Sequence, residues 1–322
     1  MTPTRRRSTA LLLAGLLAAL LLAPPAPVSA RDRDPGPGRM LFEGDSLYHH
    51  IMVSEAAGGL RYLSFNRAMG YQSAVLPGHP EVLTFAYTQS AFAALAFLDR
   101  DPGRVLFVGL GGGSMPMYLR LLYPRALVDI VEIDPEVVRV AEKYLGFQPD
   151  DNMRVIVNDG RLYMKRQAQR YDLIFLDAYN DHAVPFHLTT KEFLELARSR
   201  LEPGGVLASN IWSLNLNRYF TGQIKTYQEV FPQLYLLQAT GSANYIFIAT
   251  LQPSQISREQ AQARARALMQ GRPWSFDLAQ RLAAEYDCYT GRTVEARALT
   301  DDFAPVNLLK TMEAPSSLDG RP

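Results

Sequence analysis

An α/β fold with a doubly wound sheet is predicted by three features of the sequence. The stretch from Arg104 to Pro135 (RVLFVGLGGGSMPMYLRLLYPRALVDIVEIDP) reads as buried strand, glycine turn, helix, second buried strand and terminal acid, the first half of a nucleotide-binding sheet. Apolar runs and helical periodicities then alternate regularly as far as Thr250. The last two apolar runs are separated only by a short turn at Gly241-Ser242, which makes them a closing hairpin.

The first thirty residues stand outside that pattern. Arg5, Arg6 and Arg7 precede an unbroken apolar run from Ala10 to Ala23, followed by prolines and Val28-Ser29-Ala30. This is a charged n-region, an h-region and a small-x-small cleavage site. The run is shorter than the roughly 20 residues needed to span a bilayer, so residues 1–30 are expected to be a signal peptide, with an uncleaved membrane anchor as the second reading. Residues 31–39 (RDRDPGPGR) form a polar linker. From Met40 onward the sequence alternates, with Tyr48, His50 and Met52 on one parity and Ile51 and Val53 on the other. Gly58-Gly59 then reads as a hairpin turn. Residues 40–80 are therefore expected to form a small antiparallel unit of two to four strands, and Glu81 to Leu98, rich in alanine and phenylalanine, a helix packing it onto the larger domain.

Within residues 81–312 the elements follow in order. Val105 to Val108 is a buried strand, and after the glycines Met115, Leu119, Leu122 and Tyr123 share one helical face. Leu127 to Ile133 is the second strand. Pro135 to Tyr144 is a helix with proline in its first turn, Met153 to Val157 a strand, and Arg161 to Gln169 a helix. The fourth strand, Tyr171 to Leu176, ends at Asp177. A helix from Lys191 to Leu201 is expected to stop at Pro203-Gly204-Gly205, ahead of a strand from Val206 to Ile211. Tyr219 to Val230 is helical, and Leu234 to Leu237 with Tyr245 to Thr250 makes the hairpin. Nicotinamide dehydrogenases usually lack that hairpin. The expected architecture is a methyltransferase-type Rossmann fold, a seven-stranded doubly wound sheet with a small N-terminal antiparallel β unit. Residues 313–322 read as a frayed tail.

Composition excludes several classes. The formal net charge is +1, so no charge field points to nucleic acid or anionic lipid. Cys288 is the single cysteine, and the five histidines lack HExxH spacing, so neither an intrachain disulfide nor a familiar zinc site is expected. No metal is assigned.

In sheets of this kind ligands sit beyond the carboxyl ends of the strands. The sequence places there Gly109, Gly111 and Gly113, then Glu132 with Asp134, Asn158-Asp159, Asp177 with its long following loop, and Asn210. The glycines let the backbone pass close to a ligand, and Glu132, about 20 residues downstream, can accept both hydroxyls of a ribose. An adenosine-type cofactor is expected. Either aspartate could instead cap a helix, but the loop from Ala178 to Leu188 carries Asp181, His182 and His187, more chemistry than a cap needs.

The runs VLFVGLGGGS, VEIDP, VNDG, YDLIFLDAY and EPGGVL resemble the spermidine synthase family, the polyamine aminopropyltransferases. The likeness extends over roughly Leu41 to Leu251, and SLYHHIMV and TDDFAPVN are similar to motifs of that family and its spermidine synthase-like branch. The resemblance implies that Glu132 holds the ribose hydroxyls, Asp159 the adenine amino group, and that Asp177 is the catalytic base. It also implies that Gln72 and Tyr87 meet the substrate, with His49 at the position of a family glutamine; a diamine needs an acid at its far end too, a role open to Asp181 if its loop folds inward. Some positions depart from the family pattern. Gly112 stands where the family has an acid in its glycine loop, His49 and Thr88 where it has glutamines, Asn180 where it has a second acid, and Thr240 where it has a tyrosine.

The resemblance implies an enzyme, a transferase moving an aminopropyl group from decarboxylated S-adenosylmethionine to an amine such as putrescine. Another enzyme reading moves a methyl or aminocarboxypropyl group from intact S-adenosylmethionine. A third is an exported binding protein without catalysis. Partners are a small-molecule amine, no nucleic acid, and a second copy of the chain through the N-terminal β unit. The expected location is exported or membrane-anchored, or cytoplasmic if residues 1–30 are not a true signal. N-terminal sequencing of protein from the native host is expected to find a mature chain beginning at Arg31; a soluble cytoplasmic chain still starting near Met1 would contradict export.

Overall fold

The computed structural model describes residues 38–65, 70–179 and 184–303. The expected signal peptide, most of the linker, the C-terminal tail, Asn180, Asp181 and His182 lie outside the described residues. Two sheets make up the fold, and the described residues of both belong to one compact unit.

The first sheet is the N-terminal antiparallel unit. Its four strands, β1 (Arg39–Asp45), β2 (His50–Glu55), β3 (Arg61–Ser64) and β4 (Ser73–Val75), lie side by side in chain order. The Gly58-Gly59 turn is present, with φ of 87° and 82°, values that only glycine adopts without strain. Alternation along β2 and β3 buries Ile51, Val53 and Leu63 completely.

Next come α1 (Ala86–Ala91) and a 3-10 segment, Phe92–Phe97. The expected single helix from Glu81 to Leu98 is thus shorter and broken. FAALAF is apolar on every side and all six residues are buried. It has no polar face to set a period of 3.6, and it is held as a tighter segment against the neighbouring helices and strands.

The second sheet holds the site. Its elements are β5 (Arg104–Val108), α2 (Ser114–Leu122), β6 (Leu127–Glu132), α3 (Pro135–Tyr144), β7 (Met153–Val157), α4 (Gly160–Arg166), β8 (Tyr171–Leu176), α5 (Lys191–Ser199), β9 (Leu201–Trp212), α6 (Phe220–Val230), β10 (Gln233–Gln238) and β11 (Asn244–Thr250). After them come α7 (Arg258–Met269), α8 (Leu278–Glu285) and β12 (Tyr286–Cys288). The spatial order is β12-β10-β11-β9-β8-β5-β6-β7. All seven strands read from the sequence are present, with β12 added as a short antiparallel neighbour of β10. β5 pairs in parallel with both β6 and β8, so the chain winds outward in two directions from the gap between β5 and β8. That is the switch point where such sheets bind ligands.

Three boundaries here differ by more than one residue from the sequence reading: α4 ends at Arg166 and not Gln169, α5 at Ser199 and not Leu201, and the start of β9 moves furthest. β9 begins at Leu201, and Pro203-Gly204-Gly205 lies inside it. The pairing of β8 with β9 jumps from Tyr171↔Leu201 to Leu173↔Val206. Residues 202–205 are therefore extruded as a bulge, which is how a strand accommodates a proline and a glycine at φ 78°.

Alternation along β5 and β8 sends Val105, Phe107, Leu173 and Phe175 to one face and Leu106, Val108, Ile174 and Leu176 to the other. The first face packs beneath α2, α3, the 3-10 segment and α8; the second packs beneath α4, α5 and α6. The N-terminal sheet is moored to α3: Phe42 meets Tyr144 with ring centroids 5.5 Å apart, and Arg61 donates to the Tyr144 carbonyl.

Two glycine substitutions separate backbone conformation from packing. Gly78→Ala adds a Cβ in open space at φ 82° and is expected to cost about 1 to 2 kcal/mol. Gly109 has φ 102°, and a Cβ there would lie 2.3 Å from the Asp177 carbonyl oxygen. Gly109→Ala is expected to cost more than about 3 kcal/mol. Urea denaturation midpoints check the pair; equal losses would contradict the close approach.

Candidate active site

The carboxyl ends of β5, β6 and β8 converge on one cavity of about 750 Å³. Gly109 N–H donates to the Val131 carbonyl at 2.8 Å, and Asp177 N–H donates to the Val108 carbonyl at 2.9 Å. These bonds fasten the glycine turn between its two neighbours. Glu132, at the end of β6, accepts from Leu110 N–H at 2.9 Å and from Asp134 N–H at 3.0 Å, one on each carboxylate oxygen. Its carboxyl titrates above the usual glutamate range because it is buried, and those two amide donors pull it partly back. Each oxygen keeps acceptor capacity for a further donor, as two ribose hydroxyls would require.

The glycines divide the labour. Gly109 and Gly111 line the cavity, at φ of 102° and 53°. Gly113, expected beside the cofactor, is instead the residue that closes the turn. It donates to the Leu110 carbonyl at 2.9 Å, and a Cβ on it would meet the Phe147 ring at 2.4 Å. Gly112 is covered by β4: a Cβ there would lie 2.7 Å from Ser73 Oγ and 2.8 Å from Val75 Cγ2. The loop therefore has no room for an acid at that position unless β4 shifts.

Asp159 lines the cavity with both oxygens engaged. Oδ1 caps α4 by accepting from Leu162 N–H at 2.8 Å, and Oδ2 lies 2.8 Å from His187 Nε2. The helix-cap reading and the ligand reading fall on the same side chain.

Asp177 lines the same cavity. Its Oδ1 accepts from Asn210 Nδ2 at 2.8 Å and its Oδ2 from the Tyr87 hydroxyl at 3.4 Å. Burial raises its pKa above the usual aspartate range, and the Asn210 and Tyr87 bonds oppose the shift. Burial, together with the Asp177 charge, holds the Tyr87 and Tyr179 phenols well above their ordinary value, so both act as neutral donors. Asn210 is oriented in turn, because its Oδ1 accepts from Asn244 Nδ2 at 2.7 Å. The Tyr179 hydroxyl donates to the Asn210 carbonyl at 2.8 Å, and its ring stacks on Trp212 at 5.2 Å.

Of the remaining expected residues, His49, Gln72 and Tyr87 all line this cavity. His49 stacks on Phe65 with centroids 3.9 Å apart. Its turn is anchored where the Ser46 hydroxyl donates to Asp134, the residue whose other oxygen caps α3. Asp181 lies outside the described residues. Among the described residues no cluster of His, Cys, Asp and Glu is arranged to hold a metal ion. Sequence reasoning missed Asn244, Tyr179 and Trp212. A polar Asn opening an otherwise apolar strand (NYIFIAT) was the available signal for the first.

A glycine turn at the switch point, an acid after the second strand, a buried carboxylate after the fourth and a closing antiparallel hairpin are the features of a transferase that uses an S-adenosylmethionine-derived co-substrate. The chain belongs to the spermine/spermidine synthase family, whose domain matches residues 84–245. The polyamine aminopropyltransferase of Vibrio vulnificus is 37% identical over 294 residues, covering 85% of this chain and 93% of that protein. Among solved structures, a probable spermidine synthase from Corynebacterium glutamicum superposes with a TM-score of 0.65 at 22% identity, over 85% of this chain and 99% of that one; that likeness is one of fold. Human methyltransferase-like protein 13, solved in complex with SAH, matches at 30% identity and a TM-score of 0.53, over 59% of this chain and 96% of that one.

Glu132→Ala removes the acceptor for two backbone amides and for the expected ribose. It should weaken methylthioadenosine binding about tenfold to a hundredfold, the value of about 1.5 to 3 kcal/mol for a charge-assisted bond. Unchanged affinity by calorimetry would remove Glu132 from the nucleoside site.

Proposed function

We propose that this transferase moves an aminopropyl group from decarboxylated S-adenosylmethionine to an amine such as putrescine. The observation that carries the reading is Asp177, a buried carboxylate held on both oxygens in the same cavity as the glycine turn and Glu132. A free alkylamine is protonated at neutral pH and attacks only after losing a proton. A carboxylate whose pKa is raised by burial is suited to accept it. The amine lone pair attacks the aminopropyl carbon bonded to the sulfonium, and the C–S bond breaks with its electrons going to sulfur. Methylthioadenosine leaves, and the proton passes to Asp177. Because the sulfonium is already a good leaving group, alignment of the two reactants supplies much of the rate. Tyr87, Tyr179 and Trp212 give the acceptor end of the cavity an aromatic wall, against which an ammonium or its methylene chain can rest.

One observation favours a second reading, transfer of a methyl or aminocarboxypropyl group from intact S-adenosylmethionine. Ser73 and Val75 fill the space at Gly112, so the glycine loop carries no carboxylate that would repel that of the intact donor. Likeness to a methyltransferase at 30% identity is in keeping with it. Export directed by residues 1–30 and a homodimer through the N-terminal sheet belong to the same proposal and rest on the sequence.

Asp177→Asn keeps shape and hydrogen bonding while removing the base. Donor affinity should stay within a few-fold of wild type, and turnover should fall by about 10² to 10⁴. In the wild type, kcat/KM should decline as pH falls through the raised pKa of Asp177, because the protonated acid cannot take the amine's proton. The Asn variant should lack that limb. A variant with wild-type turnover and an unaltered pH profile would remove Asp177 as base.

A further inference from the structure

Outside the cavity lining, α8 carries an ion pair whose carboxylate is buried and whose guanidinium is partly exposed. Glu285 is 5% exposed, and its Oε1 accepts from Arg281 Nη1 at 2.9 Å. Its Oε2 is buried without a hydrogen-bond partner among the described residues. Such a pair is a poor stabiliser, because the buried carboxylate loses its hydration with one oxygen left unpaired. Its place in the fold calls for another explanation, and its remaining partners supply one.

Arg281 reaches α1. Its Nη1 donates to Ser90 Oγ at 3.2 Å and its Nε to Gln89 Oε1 at 3.1 Å, with Nη2 also donating to Gln89. α1 has only six residues and no side-chain cap at its N-terminus, so it has little stability of its own. It carries Tyr87, the donor to Asp177 Oδ2. Glu285 reaches the opposite side. The oxygen that holds Arg281 also accepts from Thr240 N–H at 2.9 Å. Thr240 lies in the β10–β11 turn, which Ala239 closes by donating to the Asn244 carbonyl at 3.0 Å. Asn244 orients Asn210, the donor to Asp177 Oδ1.

We infer that the Arg281–Glu285 pair is a positioning device for Asp177, fixing through α1 the donor to one carboxylate oxygen and through the β10–β11 turn the donor to the other. The inference rests on the reading of Asp177 as the base. The ionisable groups facing Asp177 are Tyr87 from α1 and Tyr179 from its own loop; neither belongs to α8, so the pair acts through hydrogen-bond geometry and not as a nearby charge. Both donors stabilise the ionised carboxylate, so loosening them raises its pKa.

The test uses full-length protein and the variants Glu285→Ala, Arg281→Met and Glu285→Gln. The Asp177 carboxyl titration is followed by carbon-13 NMR, its resonance identified by its loss in Asp177→Asn. Glu285→Ala and Arg281→Met should each raise the midpoint by roughly one unit, a tenfold change in the balance between the two forms. The acidic limb of kcat/KM should move with it, and kcat should fall about five- to twentyfold while donor KM holds. Glu285→Gln keeps an acceptor for Thr240 and should recover most of the wild-type midpoint. If Glu285→Ala fails to fold, Arg281→Met, which leaves the Thr240 bond in place, carries the same readout through α1 alone. Midpoints that match wild type in folded Glu285→Ala and Arg281→Met, or a Glu285→Gln no better than Glu285→Ala, would overturn the inference. Loss of the base reading shows separately, as retained turnover in Asp177→Asn, while the NMR midpoint still decides whether the pair positions the carboxylate.

Discussion

The approach of the Gly109 backbone to the Asp177 carbonyl is the constraint on which the site depends. A side chain at Gly109 would fall 2.3 Å from that oxygen, so β5 and β8 can draw together at the switch point only because this residue is glycine and adopts φ 102°. That contact brings Asp177 to the same cavity as the glycine turn, while the Gly109 N–H bond to the Val131 carbonyl on the other side places Leu110 N–H within reach of Glu132. Separating the two strand ends would leave the Glu132 and Asp177 carboxylates with nothing to align them in one cavity.

Each of these carboxylates solves the same electrostatic problem differently. Burying a carboxylate costs several kcal/mol, and each charge-assisted hydrogen bond returns about 1.5 to 3 kcal/mol. Glu132 takes its compensation from two backbone amides, which the fold fixes and no side-chain motion can withdraw. Asp177 takes its compensation from an amide side chain and a phenol, groups whose placement depends on elements far away in sequence. The carboxylate with backbone partners is suited to holding a ligand that does not react. The one with adjustable partners is suited to exchanging a proton.

The central sheet was legible in the sequence because its signals are local. The limits of α3, β7 and β8 match the apolar periodicity, and the glycine turn announces itself. What was not legible depends on distant packing. FAALAF has no period to read, and only its burial beneath the later helices makes it a 3-10 segment. Pro203-Gly204-Gly205 marks a real interruption, but one that pairing with β8 absorbs as a bulge. Gly113 belongs to the glycine motif, yet its neighbour Phe147 is 34 residues away by number and decides its role. The acids at strand ends could be named from spacing. The Asn244–Asn210 relay behind one of them required the register of β11 against β9.

A competition between donors separates aminopropyl transfer from its alternatives in one assay. Purified protein is given decarboxylated and intact S-adenosylmethionine together with putrescine, and both the nucleoside and the amine products are identified by mass spectrometry. Methylthioadenosine and an amine heavier by one aminopropyl group are expected, as aminopropyl transfer requires. S-adenosylhomocysteine with a methylated amine, or an amine carrying an aminocarboxypropyl group, would contradict it.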